Sequence, residues 1–375
     1  MRYYLSLNGR TCYIPPISVT YGSFNLPKRK PTMSINLRSR LPITTLIATS
    51  LFVASATVSS QAQAVQRAHV SALVGLDSNT SFNCDVAHPC RFFQAAMTVV
   101  DPGGEVVVLD SGGYGAVTIT QSISLIAPNG VYAGISVFPG GDGVTIATPG
   151  VNVVLRGLTI NGQGGNNGIN MTAGNKLTVE QCVIANLGQS GIKVSGTVIA
   201  RVTDTTVRDN GTNGVLLQNG AQSTITRTVI SGNVSDGIYV YGSTSSTTTA
   251  DIADTTVDGN SQGILLYSTN AAAVLTVSVR DSRAVRNLAH GLYANSFGGA
   301  SVSLSASNNI VSNNSIGIEA ANAGVQVWAS GNTVSNNSNF GLQNSGGGLF
   351  ESAGNNAVRN NGTNTSGTIT VLPTI

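Results

Sequence analysis

The sequence predicts an all-β solenoid, a single-stranded parallel β-helix of about ten or eleven coils with a short N-terminal capping helix. The first observation is a recurring phrase of Asn, a short gap, then Gly followed by an aliphatic residue. It stands at Gly168-Ile169, Gly191-Ile192, Gly214-Val215, Gly237-Ile238, Gly263-Ile264, Gly291-Leu292, Gly317-Ile318 and Gly341-Leu342. Gly367-Thr368 is a degenerate ninth copy. The intervals are 23, 23, 23, 26, 28, 26, 24 and 26 residues. A fixed period of this length marks a solenoid, in which single repeats have no core and stacking creates one.

The second observation is a strand period inside each repeat. One and three residues after the Gly the chain is apolar, as at Ile192 and Val194, or Ile238 and Val240. Two and four residues after it the chain varies freely, as at Lys193 and Ser195. A period of two with one apolar face is a half-buried strand. A second run rich in Thr and Val precedes it, as in 201–207. A repeat of 23 residues holds about three short strands and three turns, with no room for a helix. The third observation is an Asn three to six residues before each Gly: Asn186, Asn210, Asn233, Asn260, Asn287, Asn314, Asn337 and Asn361. Asn tolerates the left-handed conformation of a tight turn, and stacked amides hydrogen-bond from rung to rung.

Taken in order, residues 1–32 precede the expected start at Met33 and have no role in an export signal. The segment 33–64 reads as a signal peptide. Arg38 and Arg40 supply its charge, 41–58 is uncharged and mostly apolar, and Ala62-Gln63-Ala64 is a small-x-small cleavage site. The competing reading is a membrane anchor. Six Thr and Ser in the apolar run and the Ala-x-Ala exit favour cleavage, so the mature chain is expected to carry no membrane span and to be secreted, periplasmic or held at the cell surface. Residues 1–64 hold seven cations and no acid; of 19 Lys and Arg, twelve remain against sixteen acids. That mildly acidic remainder gives no support to a nucleic-acid partner, which wants a basic face, and none is expected.

Residues 65–83 are expected to be a loose leader, and 84–375 one β-helix domain with its cap at 84–102. Cys84 and Cys90 bracket five residues, and in an exported chain they read as a local disulfide. A metal site using His88 lacks a fourth ligand and the usual spacing. Cys182 reads as a small buried core residue. Pro89 to Val100 is expected to be the only helix, with Phe92, Ala95, Ala96 and Val99 on its apolar face. It would shield the open end of the stack. Glu105 to Leu109 and the apolar residues Val117, Ile119, Ile123 and Leu125 carry the first strands, and 139–143 is a candidate lateral loop. No C-terminal cap is visible, and the protein is expected to be a monomer.

The phrase, the Asn row and the entry segment resemble the pectin-lyase-like superfamily of right-handed parallel β-helices, in particular its exported bacterial members, over about residues 75–372. The resemblance implies a right-handed helix and a link to polysaccharides. It does not carry the family's catalytic motifs across. The polygalacturonase-like branch has Asn-Thr-Asp, a paired Asp, Gly-His-Gly and Arg-Ile-Lys. Here stand Val202-Thr203-Asp204, no Asp-Asp pair, Ala289-His290-Gly291, and Gly191-Ile192-Lys193 out of order. His290 therefore reads as a turn residue.

Outward columns on stacked coils, ~4.8 Å apart, are ready-made linear sites. Six residues before each Asn of the row lie Glu180, Asp204, Arg227, Asp254, Asp281, Asn308, Gly331 and Asn355. Arg201, Asp251, Arg280 and Arg283 are nearby in the sequence. Glycoside hydrolysis needs two carboxylates, ~5 Å apart in retaining and ~6.5–9.5 Å apart in inverting enzymes. Asp254 and Asp281, one rung apart, or Asp204 and Asp254, two rungs apart, are the candidate catalytic pairs. Arg227 or Arg280 is the candidate base of a lyase, beside a bound uronate, with Ca²⁺ the one candidate cofactor. The bland reading is a solvated column of alternating charge. Tyr239, Tyr267 and Tyr293, with Tyr241, are candidate sugar-stacking residues, or else cross-rung packing pairs. Whether the chain is an enzyme stays open: a polysaccharide hydrolase or lyase, a sugar-binding module and a non-catalytic surface scaffold all fit.

Overall fold

The structure, a computed structural model, describes residues 65–372. The segment 1–32 with Cys12, the expected signal peptide at 33–64 and residues 373–375 lie outside the described residues. Each coil contributes one strand to each of three parallel sheets, one of 13 strands and two of 11. The coil from Ile199 shows the plan. Ile199–Thr203 enters the 13-stranded sheet, Thr206–Arg208 the short-strand sheet, and Val215–Gln218 the third sheet. The next coil repeats it in register, with Val202 against Ile225, Val207 against Ile230 and Leu217 against Val240. About eleven such turns make a right-handed parallel β-helix.

The core is the interior of the stack. Val194, Val202, Val207, Leu217, Ile225 and Ile230 are all at most 2 % exposed. Burying side chains of this size contributes roughly 1.5–3 kcal/mol each. The Gly of the recurring phrase faces this interior. A Cβ on Gly214 would lie 2.4 Å from Ile230 Cγ2, 2.6 Å from the Gly237 carbonyl oxygen and 2.9 Å from Asn233 Nδ2. Lack of space, not backbone conformation, demands glycine there.

The buried amides stack. Asn210 Nδ2 donates to Asn233 Oδ1, and Asn233 to Asn260, at 2.8 Å; Asn260 to Asn287, Asn287 to Asn314, Asn314 to Asn337 and Asn337 to Asn361 follow at 2.9–3.1 Å. Asn361 ends the row on Asn364 Oδ1 at 3.1 Å. Asn186 does not belong to it. It is exposed, at φ 62°, and the buried position in that coil is Leu187, whose N–H donates to Asn210 Oδ1. A second row, the buried Asn309 and Asn332 and the half-buried Asn356, runs one turn earlier in the coil, its amides linked at 3.0 and 2.8 Å. Thr205, Thr228, Thr255 and Ser282 continue it upstream, each hydroxyl donating to a carbonyl two residues back. Cys182 occupies the same position, 1 % exposed, and burial pushes its thiol up to about 12. It is an inert filler of the turn.

The N-terminal end differs from the expectation. Residues 65–83 are not a loose leader. Val65–Val70 pairs with Val100–Val108 as the first strand of the 13-stranded sheet, and Ala68 and Val70 are fully buried. Its alternation is short and was masked by the polar residues around it. Asp77–Phe82 is a 3₁₀ turn, and the α-helix is only Phe93–Ala96. Phe93, Ala96, Met97 and Val100 are buried while Phe92 is 40 % exposed, so the apolar face is one residue later than the spacing implied. The strand 100–108 already includes Asp101-Pro102-Gly103-Gly104. The Cys84–Cys90 disulfide is formed, and the backbone of both cysteines bonds to His69. This ties the cap to the first strand. Among the described residues no helix is long and apolar enough to cross a membrane.

Candidate functional site

The charged column follows the turn between the 13-stranded and short-strand sheets. Asp204, Arg227, Asp254 and Asp281 have φ of 50°, 47°, 50° and 52°; Gln181 and Asn308 share the position at 54° and 55°, and Gly331 at 66°. Glu180 is not in it; the column there is Gln181, because the buried row runs through Leu187. Only Gly, Asn and Asp adopt this conformation at low cost. The acids therefore recur because a left-handed residue is needed before each buried Thr, Ser or Asn.

Their surroundings are those of solvated side chains. Arg227 donates to Asp204 through Nε and Nη2 at 2.8 and 2.9 Å, with the two side chains 57 % and 43 % exposed. That hydrogen-bonded pair holds the Asp204 carboxyl below its ordinary value and the guanidinium above its own. Arg280 lies 3.7 Å from Asp281 and 3.6 Å from Asp251. Asp254 and Asp281 are exposed. An arginine already engaged by an acid is a poor base. Among the described residues no group of three or more His, Cys, Asp or Glu is gathered to hold a metal ion.

A different polar surface lies on the third sheet. Its central strands are lengthened to seven residues: Asp236–Gly242, Gln262–Ser268 and His290–Ser296. Those are the coils where the repeat interval grows beyond 23. Register sorts the outward residues into columns. Leu216, Tyr239, Leu265, Tyr293, Glu319 and Gln343 form one. Gln218, Tyr241, Tyr267 and Asn295 form a second. The four tyrosines thus do not make one stripe. Tyr239 and Tyr293 are two rungs apart with Leu265 between them, and Tyr241 stacks on Tyr267 at 6.5 Å and 21°. Tyr239 bridges the columns by packing on Tyr241 at 5.2 Å. All four are partly buried, and burial pushes the phenols of Tyr239 and Tyr293 up.

A third column precedes the recurring Gly, with Asp236, Gln262 and His290 on consecutive rungs. Asp236 is 4 % exposed, and burial pushes its carboxyl up to about 6, weakly opposed by the Ser235 hydroxyl donating to Oδ2 at 3.3 Å. Its Oδ1 has no partner; neither does Gln262 Oε1 nor His290 Nδ1. His290 is a strand residue, not a turn residue. Its ring stacks on Tyr293 at 4.1 Å and 9°, and Nε2 meets Glu319 Oε2 at 2.8 Å. Glu319 also accepts from Ser345 Oγ at 2.6 Å. Burial raises the Glu319 carboxyl, but these hydrogen bonds outweigh it and leave the pKa below the ordinary value. Sequence reasoning missed Asp236, Gln262 and Glu319. The lengthened repeats were the available signal.

Comparisons with known proteins bear on the fold. Residues 105–276, a little under half of the chain, match the family described as "Right handed beta helix region". No curated protein matches the sequence. Among solved structures, the A-module of mannuronan C-5 epimerase AlgE4 from Azotobacter vinelandii is similar, with TM-score 0.51 and 16 % identity over 72 % of this chain and 89 % of that one. XylC in complex with xylose has TM-score 0.51 and 10 % identity over 72 % of this chain and 69 % of the other. At such identities the likeness speaks for the fold alone. Three parallel sheets, buried turn rows and the matched region agree: the chain folds as a right-handed parallel β-helix.

Proposed function

We propose that this is an exported polysaccharide-binding protein whose glycan lies along the lengthened strands of the third sheet. The observation that carries the reading is the meeting of two features on one face. The partly exposed Tyr239, Tyr241 and Tyr267 offer apolar ring faces to sugar C–H groups. Beside them Asp236 Oδ1 and Gln262 Oε1 are buried acceptors with no protein donor. Native folds rarely leave such atoms unpaired, and a ligand hydroxyl is a natural partner. The test is retardation of the protein in native gels cast with soluble polysaccharides. Tyr267→Ala is expected to weaken retention about tenfold, equivalent to about 1.4 kcal/mol. A protein that passes every polymer unretarded is a scaffold, and the reading fails.

The His290–Tyr293–Glu319 group favours a catalytic extension. An imidazole held by a buried carboxylate, with a phenol stacked on it, is equipped for proton transfer. A two-carboxylate hydrolase does not fit this face. Asp236 and Glu319 are three rungs apart, ~14 Å at ~4.8 Å per rung, beyond either hydrolytic spacing. Cleavage of the retained polymer, scored as new reducing ends and abolished in His290→Ala, is the readout of that proton-transfer role.

A further inference from the structure

We infer that the glycan taken by this face is uncharged: a neutral polysaccharide whose hydroxyls donate into Asp236 and Gln262, not a polyuronate. The inference rests on the reading of the third sheet as the glycan surface and adds the substrate class to it. From Val215 to Ser345 the strands of that sheet hold no Lys or Arg. Lys193, two rungs before Tyr239, is the nearest cation on the same face. The loops that follow the lengthened strands, 243–246, 269–273 and 297–300, are uncharged. What the face does hold is acid: Asp236, 4 % exposed, and Glu319, 6 % exposed.

Recognition of a uronate carboxylate calls for a guanidinium, an ammonium or a bridging divalent cation. The strands supply neither of the first two. For the third, no group of three or more His, Cys, Asp or Glu is gathered among the described residues. A carboxylate laid over the tyrosines would instead face the charge of Asp236 with little water between them, where like charges repel strongly. A hydroxyl meets the opposite situation. Asp236 Oδ1 and Gln262 Oε1 are acceptors without donors, one rung apart, ~4.8 Å. That is close to the spacing of hydroxyls across a pyranose ring. Tyr239 and Tyr241 lie alongside to take the apolar face of the same sugar. His290 Nδ1, one rung further, can accept or donate.

The test compares retardation by a panel of neutral polymers (a β-glucan, a xylan, a mannan) with retardation by polygalacturonate and alginate, each with Ca²⁺ and with EDTA, at pH 7.5. At least one neutral polymer is expected to bind ten times more tightly than either polyuronate, whether or not Ca²⁺ is present. Gln262→Leu and Asp236→Asn are expected to narrow that ratio at least threefold while the thermal transition stays cooperative. Gln262→Leu guards against an Asp236 variant that acts through folding. Polyuronate bound as tightly as any neutral polymer, or bound only with Ca²⁺, overturns the uncharged-glycan assignment and leaves the glycan surface standing. Loss of retention by every polymer overturns both.

Discussion

The turn column from Asp204 to Asp281 and the sheet face from Asp236 to Glu319 hold acids at similar density, but in opposite environments. In the turn column the carboxylates stand in water, paired with Arg227 or Arg280 or unaccompanied, and the backbone at each is left-handed. On the sheet face the carboxyls are buried, and one of them keeps an oxygen with no partner. The first column is acidic because its backbone conformation selects Asp. The second is acidic although burial penalises it. A charged column read from sequence is therefore weak evidence of chemistry until the backbone at its positions is known.

The comparison makes the turns structural, and the largest effect tests that. Asn260 is fully buried; its Oδ1 accepts from both the backbone and the amide of Asn233, and its own amide donates to Asn287. Asn260→Ala strands several buried groups at once. The expected loss is about 3 kcal/mol of stability in urea unfolding. A loss below about 1 kcal/mol would mean that the rows are incidental to the stack.

The buried carboxyl of the sheet face has the next largest effect. Asp236 ionises near pH 6 in the fold, against 3.8 for a free carboxyl. Between those values the unfolded chain has lost its proton and the folded chain has not, so stability falls as pH rises from about 4 to about 6 and stays lower above. Asp236→Asn removes that fall and is expected to stabilise the protein at pH 7.5 by up to about 3 kcal/mol, at about 1.36 kcal/mol per unit. Melting curves at pH 4.5 and 7.5 for both proteins check it. A residue that stabilises when neutralised and yet is needed for glycan retention is one kept for a ligand. If Asp236→Asn leaves retention untouched, the contrast between the two columns collapses.

A smaller effect is expected at Asp254. Asp254→Ala places a Cβ residue with no local hydrogen bonding at φ 50° and is expected to cost about 1 kcal/mol. Asp254→Gly is expected to be neutral or mildly stabilising, since Gly331 already occupies the same position of the column. Neither variant is expected to alter polysaccharide retention. Loss of retention in the Gly variant would return the turn column to the functional site.

Much of the fold was legible in the residues. The Gly phrase reports a close approach, and its period counted the coils. The amides from Asn210 to Asn361 follow one another from coil to coil because a buried amide needs one register. The slip at Asn186 came from a coil in which Leu187 replaces the amide, so the nearest Asn was the exposed left-handed residue beside it. The first strand at 65–70 was missed because only Ala68 and Val70 of it are fully buried. The site was legible in part. The tyrosines of the proposed face stand out in the sequence, but Asp236 sits in an Asp-Gly pair that looks like any turn, and the His290–Glu319 contact joins residues 29 apart through coil stacking. Spacing within a repeat does not show which side chains meet across repeats.

The smallest effect has the opposite sign to that at Asp236. Asp204 is held below its ordinary pKa chiefly by the hydrogen bonds from Arg227, so it adds stability that is present at neutral pH and lost as pH falls through its own titration. The pair is exposed and screened, and double-mutant measurements on such pairs give little. Arg227→Gln is therefore expected to flatten only the acid end of the stability profile, below about pH 4, and more visibly at low salt than at 0.5 M, where the Debye length shrinks to about 4 Å. The fall between about pH 4 and 6 is expected to persist in that variant, because it belongs to Asp236 on another sheet. If Arg227→Gln removed that fall instead, the two columns would be one electrostatic unit, and the turn would have a claim on the chemistry of the face.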